Sequence, residues 1–176
     1  MHVYEEANLK WWQGCFVDAV PSERPDFEVM PTDGIELDGH VLKAYDVAQG
    51  DCAANSFLHV PDLELFVAGD LVYGDCHVYL VEANTKEKRE NWIKAVEQIE
   101  SLKPQIVIPG HTRASQVPGA YLTRSTKRYI QVFGEELAKA ETAVALEKRM
   151  KELYPESWND TILQFSCEAS FAATVT

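Results

Sequence analysis

The chain has 176 residues and a formal net charge of -12. Hydrophobic residues make up 46% and charged residues 25%, enough for one domain with a core of its own. The acid excess argues against nucleic acid or an anionic membrane as a partner, since either needs a basic face, and it fits a soluble protein acting on small molecules.

The first 18 residues begin as a predicted helix, with Tyr4, Ala7, Leu9, Trp11 and Trp12 as a loose apolar face and Gly14 as its end. Pro21 to Pro31 holds three prolines among scattered charges and reads as a linker or surface loop. Residues 1–34 are thus expected as an irregular N-terminal helix and linker on a single domain covering 1–176. Ile35–Leu37 and His40–Val47 flank Asp38-Gly39, a strong hairpin signal. Ala48 to Asn55 is expected as a loop, and Ser56–Val60 as a strand stopped by Pro61. Leu63–Ala68 should run antiparallel beside it. A short strand is expected over His77–Val81.

Asn84 is expected to cap a helix, with Glu87 closing a capping box. Trp92, Ile93, Val96, Ile99 and Leu102 share one face of that helix, and Pro104 ends it. Gln105–Ile108 completes a strand–helix–strand unit. Pro118 opens a long helical region to about Tyr154, with Gly134 as its expected break. Thr161–Phe171 reads as a last short helix. The four cysteines show no C-x-x-C spacing, the first residues lack the pattern of a secretory signal, and no apolar run spans a membrane. Reduced thiols and a cytoplasmic location are the expectation.

Two strands end in the same way. Leu65–Ala68 runs into Gly69-Asp70, and Ile106–Ile108 runs into Pro109-Gly110-His111. Each places a metal-competent side chain after a glycine, at the carboxyl edge of a sheet. A carboxylate and an imidazole so placed can share one metal, and zinc accepts both. Asp75 and His77 follow closely, and His77 is expected to reach the same edge. Asp51, in the loop with Gln49 and Gly50, is either a third acidic ligand or a turn residue. His40 and His59 read as structural. No G-x-S-x-G, Walker loop or G-x-G-x-x-G is present.

From about Ile35 to Tyr154 the sequence resembles the metallo-β-lactamase fold superfamily of metal-dependent hydrolases. The resemblance rests on the hairpin at Asp38-Gly39, the loop Gln49–Ser56, the run SFLHVPDLELFVAGDLVYGDCHVYL, the helix from Asn84, and QIVIPGHT. It implies an α/β architecture of the α+β sandwich type: part of an αββα fold, with a mixed sheet flanked by helices. It assigns to Asp70 the aspartate that bridges metals and to His111 the last histidine ligand. The family's His-x-His-x-Asp-His motif is absent from this sequence, and Gln49 stands where the family has another histidine ligand. The resemblance therefore implies a zinc-dependent hydrolase of an ester, lactone, amide or thioester with an incomplete metal site. Asp70 and His111 would be ligands, and Gln49, Asp51 and Asp75 further candidates. His77 would orient substrate or shuttle a proton. A sheet from the C-terminal half alone leaves its inner apolar face uncovered, so self-association or pairing with an N-terminal half is expected. The competing reading is a non-catalytic binding or interaction module.

Overall fold

The structure is a computed structural model that describes residues 6–20 and 28–174. Tyr4 and residues 21–27 of the expected linker lie outside the described residues. Residues 1–30 and 31–176 are two compact units. The first contains α1 (Glu6–Phe16) and a 3-10 turn at Val17–Ala19. Gly14 does not end α1. Glycine costs a helix interior about 1 kcal/mol relative to alanine without forbidding it. The break comes instead at Val17, whose φ of 48° leaves the helical region.

The second unit is built on a five-stranded mixed sheet in the order β1-β2-β3-β4-β5. The strands are β1 (Ile35–Leu37), β2 (His40–Gln49), β3 (Ala53–Val60), β4 (Leu65–Tyr73) and β5 (Ile106–His111). Asp38 and Gly39 both take positive φ, 50° and 84°, as a two-residue turn between right-twisted strands requires. The loop expected over 48–55 is mostly ladder. Gln49 pairs with Ala53 and Val47 with Asn55, leaving a tight connection closed by the Gly50 N–H on the Cys52 carbonyl at 2.8 Å. The polar side chains there hide the pairing, because a ladder is made by backbone groups whatever the side chains are.

Strands β1 to β4 are antiparallel neighbours, and β5 joins β4 in parallel through the crossover helix α2 (Lys86–Ser101). The cap of α2 falls one residue later than expected. Thr85, in extended conformation, accepts from the Lys88 N–H at 3.3 Å, while Asn84 Oδ1 takes the Lys88 ammonium. Leu102, expected on the buried face, is the exposed residue just after the helix. Residues 77–81 form no strand. Their backbone is bound elsewhere: the His77 N–H donates to the Trp158 carbonyl at 2.9 Å, and the Leu80 N–H to Ser166 Oγ at 2.9 Å.

The expected long helix is two helices, α3 (Tyr121–Leu137) and α4 (Ala143–Leu153). The break is not at Gly134. It lies before Thr142, whose hydroxyl accepts from the Ala145 N–H at 3.1 Å and starts the next helix. Helix α5 (Asp160–Thr174) follows. Among the described residues no helix is long and apolar enough to cross a membrane, and all four cysteines are free thiols.

The core lies on one face of the sheet. Phe57, Phe66, Ala68 and Val107 meet Trp92, Val96 and Ile99 of α2 and Leu122, Ile130 and Phe133 of α3. Trp92 also donates its indole N–H to the Leu71 carbonyl at 2.9 Å, so α2 is fixed to β4 by a hydrogen bond as well as by burial. The opposite face is apolar and open. Leu58, Val67 and Ile108 are register partners across β3, β4 and β5, and Leu65 pairs with Ile106. Val67 and Ile106 are each 39% exposed and Ile108 is 37% exposed.

Candidate metal centre

The site is made by a fault in the β4–β5 ladder. Gly69 pairs with Pro109 and Tyr73 with His111, so β4 runs four residues where β5 runs two. The extra length is a bulge, which re-aims side chains. Gly69 takes φ 52°, a conformation that suits a residue without a β-carbon. Asp70 then meets His111 across the edge, with Oδ1 3.3 Å from Nε2. Both side chains are partly open to solvent, and Tyr73 lies beside the imidazole with ring centres 5.5 Å apart.

The backbone of His111 is held from behind. Its carbonyl accepts from the Gly74 N–H at 2.8 Å and faces the Cys76 thiol at 3.7 Å. Gln116 ties the same loops together, since its Oε1 takes the Asp75 N–H at 2.9 Å and the Thr112 hydroxyl at 2.6 Å. Sequence reasoning misses Gln116, Thr112 and Tyr73. Their roles depend on two loops meeting, and no local motif marks that.

Asp51 is electrostatically coupled to the pair. Burial first, and the Asp70 charge second, push its carboxyl up to about 6. Its Oδ1 accepts from the Cys52 N–H at 2.8 Å and from the Asn55 amide at 2.7 Å, so a turn-like role and a place near the acidic edge coexist. Gln49 is buried, and its amide donates to the Gly50 carbonyl at 3.0 Å. Asp75 is engaged by Arg113, which it meets at 3.3 Å through Nε and at 3.1 Å through the backbone N–H.

His77 does not reach the edge. Its ring is 1% exposed, with Nδ1 2.8 Å from the Tyr129 hydroxyl of α3 and Nε2 3.9 Å from Asp160 of α5. Burial pulls its pKa below the usual imidazole value. It ties the 74–80 stretch to the helices. His40 pairs with Asp62 at 2.5 Å, and His59 stacks on Phe66 with centroids 4.2 Å apart.

A catalytic zinc takes three protein ligands and leaves one position for water. Asp70 and His111 bring together one carboxylate and one imidazole, side chains of the kinds that zinc accepts. Among the described residues no group of three or more His, Cys, Asp or Glu side chains is close enough to hold a metal ion. The pair suits zinc in kind and is fewer than the three protein ligands that a catalytic zinc takes.

No protein-family model matches the sequence, and no curated protein matches it. The backbone is similar to that of a metallo-beta-lactamase family protein from Thermus thermophilus. That likeness has a TM-score of 0.58 at 17% identity over 97% of this chain and 60% of that one. It is also similar to a beta-lactamase domain protein from Burkholderia ambifaria, with a TM-score of 0.56 at 16% identity over 90% of this chain and 50% of the other. The architecture is therefore a partial metallo-β-lactamase-like fold. The chain spans 60% and 50% of the lengths of these two structures.

Proposed function

We propose that the chain carries the C-terminal half of a metal-dependent hydrolase centre. The reading rests on one observation: Asp70 and His111, from the ends of two parallel neighbouring strands, meet at 3.3 Å. In this reading both hold a zinc ion, and Asp51 adds negative charge beside them. A complementary half of the same fold lies on the open sheet face and brings the ligands that Gln49 does not supply. Bound zinc contributes Lewis acidity toward the carbonyl of an ester, lactone, amide or thioester. Tyr73 and the Gly74 N–H keep His111 in place. His77 acts as a tether rather than as a proton carrier, because its ring is enclosed by α3 and α5.

The test is zinc uptake by the purified chain and by Asp70→Ala and His111→Ala, with assays on ester, lactone and β-lactam substrates. Zinc bound by the parent chain and lost in both variants supports the reading. No zinc uptake, with unchanged stability in both variants, sinks it. The inward turn of the Gln49 amide onto Gly50 favours a second reading, a non-catalytic interaction module. That reading expects self-association or partner binding that zinc does not alter.

A further inference from the structure

Between α2 and α3, with no residue in common with the Asp70–His111 pair, lies a cavity of about 670 Å3. Small-ligand pockets run from about 300 to 1,000 Å3. Ile93, Ile130 and Leu137 give it an apolar wall, and Arg89 lies within it. Arg89 is only 8% exposed. Its Nη1 donates to the Asn84 carbonyl at 3.0 Å and to the Ala83 carbonyl at 3.4 Å, just ahead of α2. The guanidinium carbon stands 6.0 Å from the Phe133 ring centre.

No carboxylate among the described residues lies within ion-pair distance of this guanidinium. Glu90 and Glu135, at the cavity rim, face other partners: Lys86 at 3.7 Å and Arg128 at 3.3 Å. The Nε and Nη2 donors of Arg89 likewise have no protein partner among the described residues. Burial disfavours the Arg89 charge and the Glu90 carboxylate offsets part of that from a distance; an anion that met the guanidinium directly would offset more. Gly134 keeps that edge of the fork clear: a β-carbon there would stand 3.7 Å from Arg89 Nε. Any longer side chain at residue 134 would enter the space that a ligand would use.

We propose that this cavity binds a small carboxylic acid with an apolar body. The carboxylate is taken by the Nε and Nη2 edge of Arg89, in the paired geometry that a guanidinium offers. The hydrocarbon part rests on Ile93, Ile130 and Leu137.

Octanoate is a suitable probe, with octanol as a control of equal chain length and no charge. Isothermal titration is expected to detect octanoate binding and to find octanol at least about tenfold weaker, because only the acid pairs with Arg89. Arg89 variants also lose the contacts to Ala83 and Asn84, so Gly134→Leu carries the test. It should weaken octanoate by at least about tenfold while the circular dichroism spectrum is kept. If Gly134→Leu does not fold, Ile93→Trp fills the same space from α2 and is read in the same way. Equal affinity for octanoate and octanol, no octanoate binding at millimolar concentration, or unchanged affinity in the folded variant overturns the proposal. None of these readouts involves zinc, so failure here is separate from failure of the hydrolase reading.

Discussion

The Asp70 carboxylate fills the space that a β-carbon on Gly110 would take. A β-carbon at residue 110 would overlap Asp70 Oδ1 and stand 2.8 Å from the Gly69 carbonyl carbon. The carboxylate can lie across the strand ends toward His111 only because residue 110 has no side chain. The glycine before the histidine is thus part of the site's geometry as well as a turn residue.

Gly110→Ala should therefore displace Asp70 from His111. The overlap is with a side-chain oxygen and with backbone, so the expected loss of stability is about 1–3 kcal/mol. Zinc uptake should fall along with it. Chemical denaturation and zinc titration of the variant check both. Parent-like zinc uptake in Gly110→Ala would mean that the Asp70–His111 contact does not set metal affinity.

The buried His77 ring predicts a pH effect on stability. Its folded-state pKa lies below its ordinary value of 6.5, chiefly because of burial. The unfolded chain then binds a proton that the folded chain resists. The contribution is fully present above the unfolded pKa and is lost as pH falls through 6.5 toward the folded value. Asp51, pushed up to about 6, acts in the opposite sense over this range, so the effect is read by difference: between pH 7.5 and pH 5.5 the parent should lose stability relative to His77→Asn. The Lys151 ammonium adds to the depression of the pKa, while Asp160 and Glu147 oppose it. Tyr129→Phe, which strips Nδ1 of its partner, should cost about 1–3 kcal/mol at neutral pH. A pH response identical in parent and His77→Asn chains would place the titrating group elsewhere.

The open sheet face predicts association. Val67, Ile106 and Ile108 are large apolar side chains more than a third exposed, and they are linked by register into one patch. Burying each is worth on the order of 1–2 kcal/mol. At micromolar concentration the chain should self-associate unless a complementary half is supplied, and Val67→Lys with Ile108→Lys should return it to monomer. Light scattering that finds a clean monomer of the parent chain counts against this reading.

Most of the sheet is legible in the sequence alone. The Asp38-Gly39 hairpin, the antiparallel run into β4, the β4–α2–β5 crossover and the two strand-end motifs are all local patterns. A turn dipeptide, an amphipathic helix and a strand closed by glycine announce themselves within a few residues. The departures also share a cause. The sequence points to a cap at Asn84 and the cap forms at Thr85, because both residues can cap and only the backbone angles choose. The neighbours of His77 lead toward the sheet edge, but its partner, Tyr129, lies 52 residues away.

The sequence by itself determined which strands end in metal-competent residues, Asp70 and His111. Ligand identity and strand-end glycines are properties of short segments, and those survive without tertiary context. The tertiary structure alone decided that Asp70 and His111 touch, through a four-against-two bulge that no local pattern encodes. It alone enclosed His77, engaged Asp75 with Arg113, and left Arg89 facing a cavity. Each of these depends on which distant element supplies the neighbouring charge or surface, and packing settles that.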